Sequence, residues 1–190
     1  MNTLEIIAVV LGLANISLLV RRSIWNYPFG MAMVALYAVI FFQARLYSEA
    51  GLQIFFFLVQ GYGWWLWARA GGMEHAVAVR WLGWLARAAW LVAIAVMAAL
   101  LATVMGRFTN AAMPFADASI TAGSIAAQFL LSYRRIENWV LWIIVDIAAI
   151  ALYIVRDLHL TAGLYGAFLV LSVLGLREWI RSNSQSGLPA

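Results

Sequence analysis

Apolar residues in this chain come in long runs separated by short polar breaks, without the two-residue alternation of a half-buried strand. Seven runs can be marked: Ile6 to Val20, Tyr27 to Phe42, Gly51 to Ala68, Ala88 to Met105, Pro114 to Ser132, Trp139 to Val155, and Thr161 to Leu176. Uncharged segments of this length fit helices that satisfy their backbone hydrogen bonds internally, and no set of short alternating strands suggests a membrane barrel. The pattern predicts an all-α integral membrane protein with seven transmembrane helices. Several runs fall a little short of the roughly 20 residues that cross comfortably. Tyr27, Trp64, Trp65, Trp67, Trp81, Trp84, Trp90 and Trp179 flank them as interfacial anchors.

Seven spans place alternate loops on opposite sides, so the arginines can be sorted by side. Arg45, Arg107 and Arg156 share a side with the N-terminus, whereas Arg21, Arg22, Arg69, Arg80, Arg87, Arg134, Arg135, Arg177 and Arg181 lie on the other. The excess predicts a cytoplasmic C-terminus and an external N-terminus. The N-terminal run has no basic leader and no small-residue cleavage site, so it reads as a span.

The longest connection, Arg69 to Arg87, contains Gly71-Gly72 and leaves three spans before it, then one, then three. This predicts a parallel repeat of two triplets: residues 1–68, a loop and linker helix over 69–108, a second triplet over 109–182, and a flexible tail over 183–190. A shift of 114 residues aligns Arg21 with Arg135, Trp25 with Trp139, Gly61 with Gly175 and Trp65 with Trp179, and a double arginine follows the first span of each triplet. Transporters built from such repeats bind substrate near mid-membrane, between the halves.

Polar residues inside the runs are the candidates for function. Asp146 lies roughly 12 Å into the sixth span, and a charge there is costly enough to mark a ligand or pathway. Trp139, Trp142, Asp146 and Tyr153 share a broad helical face. A carboxylate beside indoles suits a flat cationic ring, whose charge it compensates while the indoles add cation–π attraction. The alternative is an Asp146 that pairs with an arginine or stays protonated, with the tryptophans packed against lipid. On the third span Gln53, Phe57 and Gln60 share a face and could bind hydroxyls or a carboxamide, and Ser124 with Gln128 on the fifth span are spaced alike. Interhelical hydrogen bonding is the competing role for these amides. Asp117 follows Pro114 in a first helical turn, where a carboxylate complements the helix dipole, and Asn15 reads as a packing group. Glu137-Asn138 could cap the sixth helix.

Composition narrows the chemistry. All 12 basic residues are arginine and there is no cysteine, which excludes a Schiff-base lysine and thiol catalysis. The net charge of +4 comes from arginines scattered through short loops, which fits membrane orientation and not nucleic acid. His75 and His159 have no partners at metal-ligand spacing, so neither a metal nor another cofactor is expected. There is no His-Glu-x-x-His helix and no Gly-x-Ser-x-Gly elbow, so no enzyme is expected either.

Four stretches together resemble the Pnu-type vitamin transporters over nearly the whole length. They are Asn26-Tyr27-Pro28-Phe29-Gly30, Leu46-Tyr47-Ser48 with Leu52-Gln53-Ile54-Phe55-Phe56-Phe57, Tyr62-Gly63-Trp64, and Glu137 to Asp146, the most distinctive. The resemblance implies a three-plus-one-plus-three helix architecture related to the SWEET sugar transporters, assembled as a homotrimer in the bacterial inner membrane. It implies facilitated diffusion of an unphosphorylated vitamin that a cytoplasmic kinase then traps. By position the substrate site would involve Gln53, Phe57, Trp142 and Asp146. Members that carry nicotinamide riboside have asparagine where this chain has Asp146, and aspartate there is closer to some thiamine-transporting or unassigned relatives. Nicotinamide riboside and thiamine both carry a cationic aromatic ring, so a carboxylate attracts either. The Trp142/Asp146 pair and the repeat make nicotinamide riboside the expected substrate, with thiamine or another cationic vitamin as the alternative. Proton-coupled transport, in which Asp146 titrates, is a further one.

Overall fold

Each apolar run folds as one α-helix. The computed structural model describes residues 3–43, 47–73, 76–108, 113–155 and 159–185. Among these residues there are seven helices: α1 (Thr3–Val20), α2 (Asn26–Gln43), α3 (Tyr47–Arg69), α4 (Trp84–Phe108), α5 (Pro114–Ser132), α6 (Glu137–Val155) and α7 (His159–Gln185). Arg45, Leu46, His75, Arg156 and residues 186–190 of the expected tail lie outside the described residues. Trp84–Phe108, Glu137–Val155 and Ala162–Gln185 are long and apolar enough to cross a membrane, and Ile6–Val20 and Asn26–Ile40 are shorter apolar helices.

The largest difference from the sequence reading is at the end of α7, which runs to Gln185 and not to Leu176. Arg177, Glu178 and Arg181 end the apolar count without ending the helix. Trp179 is fully buried and Ser182 is 8% exposed, so one face of this polar end packs on protein. Tertiary burial thus carries the helix past the apolar run.

The chain divides into two compact units, Met1–Val79 with Leu131–Arg134, and Arg80–Leu130 with Arg135–Ala190. In the first, α1 packs on α2 and α2 on α3. Small residues let these helices approach: a Cβ on Gly12 would meet Met33 Sδ at 2.9 Å, and one on Gly63 would meet Tyr27 Oη at 2.6 Å. Tyr27 meets Trp67 edge-on, with centroids 5.3 Å apart, and Trp67 Nε1 donates to the Leu131 carbonyl at 3.3 Å. Val77 and Val79 are each 1% exposed, and Val77 N–H donates to the Arg22 carbonyl at 3.4 Å.

In the second unit α6 packs on α7. A Cβ on Gly123 of α5 would meet Val145 of α6 at 2.8 Å, and one on Gly175 of α7 would meet the Trp139 ring at 2.5 Å. Trp139 meets Trp179 edge-on at 5.6 Å. Glu137 does not cap α6 by turning back on it. Its Oε1 accepts from Leu82 N–H at 2.9 Å and from Arg87 Nε at 2.8 Å, which ties the segment before α4 to the start of α6. α4 buries only Ala98, and Leu91, Val92, Val96 and Leu100 are all more than half exposed, as suits contact with lipid chains.

One local construction occurs twice along the chain, at the ends of α1 and α5. α1 ends with Arg22 at φ 56°, with Arg22 N–H donating to Leu19 O at 2.9 Å and Ser23 N–H to Leu18 O at 3.0 Å. α5 ends with Arg134 at φ 59°, with Arg134 N–H donating to Leu131 O and Arg135 N–H to Leu130 O, both at 2.8 Å. This double bond pattern closes a helix through one left-handed residue, usually glycine and here arginine. Asn26 Nδ2 then donates to Ser23 O at 2.7 Å, and Asn138 Nδ2 to Arg135 O at 2.6 Å.

These matching places are separated by 112 residues, not by the 114 read from identity. At 114, Trp25 (57% exposed) would pair with Trp139 (1%), and Trp65 (48%) with Trp179 (0%). At 112, buried Ile24, Asn26, Tyr27, Gly63 and Trp67 fall on Ile136, Asn138, Trp139, Gly175 and Trp179, in matching environments. A slip of two residues rotates a helical position by about 200°, so an identity match at the wrong offset joins opposite faces.

Candidate functional site

Asp146 stands at the middle of α6, nine residues from Glu137 and nine from Val155. Periodicity brings Asn138, Trp139, Val145, Asp146, Ala149 and Leu152 to the buried side of that helix. Asp146 is 3% exposed, and its Oδ2 accepts a hydrogen bond from Ser172 Oγ of α7 at 3.0 Å. Its partner among the described residues is this hydroxyl, and no arginine there is paired with Asp146. The reading in which Asp146 is spent on an arginine therefore finds no support in these residues.

The neighbours expected on that face divide. Trp142, one turn before Asp146, is half-buried and leaves part of its indole open. Trp139 is committed to packing: it is 1% exposed, edge-on to Trp179 and pressed against Gly175. Its Nε1 is buried without a hydrogen-bond partner among the described residues. Tyr153 meets Tyr165 of α7 at 5.1 Å, and Tyr165 meets Phe168 at 5.6 Å, which extends an aromatic row along the same helix pair.

On α5, Gln128 is 8% exposed, while Ser124 is half-buried with its hydroxyl donating to the Ile120 carbonyl at 2.8 Å. A hydroxyl returned to its own helix has its proton already placed. Asp117 is half-buried in the first turn of α5, where its charge complements the helix dipole.

The first unit holds the other candidates. On α3, Gln53 is half-buried, Phe57 is 38% exposed and Gln60 is 7% exposed, so their shared face grades from open to buried. The space above Gly30 of α2 is filled by Gln60 Oε1 and Asn15 Nδ2, and Asn15 also donates to the Asn26 carbonyl at 2.7 Å. A glycine at position 30 thus lets amides from α1 and α3 converge over α2. Among the described residues no group of histidine, cysteine, aspartate or glutamate could hold a metal ion.

Sequence reasoning missed Ser172. Its signal was available as a lone hydroxyl in the apolar stretch Ala167 to Leu174, but nothing in that stretch says which helix it faces.

A sequence profile described as nicotinamide mononucleotide transporter matches residues 2–181, nearly the whole chain. The chain belongs to the nicotinamide mononucleotide transporter family. A nicotinamide riboside transporter PnuC from Escherichia coli is 30% identical, over 98% of this chain and 89% of that protein. A riboflavin/roseoflavin transporter RibM from Streptomyces davaonensis is 28% identical, over 96% and 87%. A crystal structure of the vitamin B3 transporter PnuC superposes with a TM-score of 0.80 at 26% identity, covering 96% of this chain and 82% of that one. As a member of the nicotinamide mononucleotide transporter family the chain is a membrane transporter and not an enzyme. The resemblance read from Glu137 to Asp146 and the three shorter motifs led to the same family.

Proposed function

We propose that this protein carries nicotinamide riboside into the cell by facilitated diffusion across the bacterial cytoplasmic membrane. The observation that carries the reading is Asp146, a carboxylate in the middle of an apolar helix that has a hydroxyl partner but no arginine among the described residues. A buried carboxylate in this state is completed by a cationic ligand. The nicotinamide ring of the riboside is cationic, whereas the ring system of riboflavin is neutral. This separates the two substrate classes named among the relatives. Trp142, half-buried one turn before Asp146, offers part of its indole for cation–π attraction.

In this reading Asp146 and Trp142 bind the ring, and Gln53, Phe57 and Gln60 are the candidate substrate contacts carried by α3. Gln128 is a further contact. Trp139 and Ser124 serve mainly to shape the helices that carry the others, because their polar or aromatic groups are already engaged in packing or in their own helix. The chain would have seven spans as two parallel triplets, 1–68 and 109–182, joined by α4, in a SWEET-like arrangement. The pairing of the Arg22 and Arg134 turns and of the Tyr27–Trp67 and Trp139–Trp179 ring contacts at one offset supports the repeat. The arginine distribution supports an external N-terminus and a cytoplasmic C-terminus. A homotrimeric assembly, supply to NAD biosynthesis and trapping by a cytoplasmic kinase complete the proposal.

Uptake of labelled nicotinamide riboside into proteoliposomes, with no ion or proton gradient, tests it. Saturable entry is expected, and its absence would sink the reading. Thiamine is also cationic and satisfies the same charge argument. Strong competition by thiamine with none by unlabelled riboside would reverse the assignment.

A further inference from the structure

A hydroxyl inside an apolar helix ordinarily returns its proton to the carbonyl one turn back. Thr103, Ser119, Thr121, Ser124 and Ser184 do so, donating to Ala99, Phe115, Asp117, Ile120 and Ile180 at 2.7 to 3.1 Å. Ser172 departs from this habit. Its Oγ donates across the α6–α7 packing to Asp146 Oδ2 at 3.0 Å, and both residues are at most 5% exposed. A serine has one hydroxyl proton, so this bond commits it. It also selects which carboxylate oxygen is tied to protein. Oδ1 accepts no hydrogen bond among the described residues, and no arginine there pairs with Asp146.

Packing alone does not call for this pair. At the 112-residue offset, the places of Asp146 and Ser172 are taken by Val34 and Gln60, which are 3% and 7% exposed. The α2–α3 pair closes over valine where the α6–α7 pair closes over a carboxylate with its own donor.

We propose that Ser172 is a positioning residue that holds Asp146 by Oδ2, so that Oδ1 is presented to the cationic ring of the substrate. The proposal rests on the reading of Asp146 as the counter-charge of that substrate. Without the hydroxyl the carboxylate turns about its side-chain torsions, and its charge is no longer aimed. The loss falls on charged ligands, because an uncharged ligand of the same shape does not depend on where the carboxylate points.

The test is binding calorimetry on the full-length protein, with nicotinamide riboside and with its uncharged dihydro form. Ser172→Ala should weaken riboside binding about tenfold, the scale of a hydrogen bond to a charged group, and leave the dihydro ligand within about twofold. Ser172→Thr keeps the hydroxyl and should restore riboside affinity. With Asp146→Asn already in place, Ser172→Ala should change riboside affinity by no more than about twofold, because the group it positions has lost its charge. Equal weakening of both ligands overturns the proposal, since the bond would then merely hold α6 to α7. A measurement without ligand stands beside these. The infrared carboxyl band that disappears in Asp146→Asn should shift in Ser172→Ala and stay in place in Ser172→Thr. If the wild-type protein binds neither nicotinamide riboside nor thiamine, the uptake reading falls, but the band still decides the positioning. A band unmoved by Ser172→Ala overturns the proposal in either case.

Discussion

Gly175 of α7 lies against the indole of Trp139 on α6, so close that a Cβ added to it would stand 2.5 Å from two ring carbons. Trp139 is in turn edge-on to Trp179, one helical turn further along α7. The whole contact depends on the absence of one methyl group. Gly175→Ala is expected to destabilise the protein by about 1–3 kcal/mol through overpacking. Gly163→Ala on the same helix meets nothing within 4 Å and should be neutral or slightly stabilising. Thermal unfolding in detergent measures both, and equal midpoints for the two variants would contradict the packing described.

Asp146→Asn removes the charge while keeping the shape of the side chain. With Asp146 as the counter-charge, riboside affinity should fall about 10- to 100-fold, with the dihydro form much less affected. Retained riboside affinity would overturn that role and leave the asparagine that the resemblance puts at this place in riboside-carrying members as an equivalent. The same variant separates the uniporter from proton-coupled transport. A uniporter keeps gradient-free flux at higher substrate concentration, whereas a proton-coupled carrier loses its pH-dependent flux altogether. Initial uptake rates against substrate concentration at two pH values distinguish the outcomes.

Glu137 carries unequal loads on its two partners. Its Oε1 holds the Leu82 N–H at 2.9 Å and Arg87 Nε at 2.8 Å, and the side chains of Arg87 and Glu137 are 48% and 13% exposed. Arg87→Ala breaks an exposed pair and should cost less than about 1 kcal/mol. Glu137→Ala also strands a backbone donor and should cost about 1–3 kcal/mol. The order of the unfolding midpoints is the readout, and Arg87→Ala being the more damaging would reverse the argument.

The absence of cysteine makes orientation directly testable. Ser184 is exposed near the end of α7, so Ser184→Cys supplies a single thiol on the C-terminal side. A membrane-impermeant maleimide should label it in inverted vesicles and leave it unlabelled in intact cells. Labelling of intact cells would place the C-terminus outside.

The helices were legible because burial of the backbone in lipid demands long uncharged runs, and Pro114 to Ser132 was read to the residue. The far end of α7 was not, since Arg177, Glu178 and Arg181 look like a loop until Trp179 is seen to be buried. The 114-residue offset misses the 112-residue spacing of the Arg22 and Arg134 turns for a related reason. Tryptophans are frequent in this chain, so identity alone aligned exposed Trp25 and Trp65 with buried Trp139 and Trp179.

From its order of residues alone the chain determined that it is a helical membrane protein, that it has the motifs of a vitamin transporter, and that Asp146 is a carboxylate inside an apolar run. Periodicity says which residues share a face, because that depends only on the turn of one helix. What stands opposite that face depends on how separate helices pack. The tertiary structure therefore decided that Asp146 meets Ser172, that Trp139 is closed in by Gly175 and Trp179, and that Gln60 and Asn15 converge over Gly30.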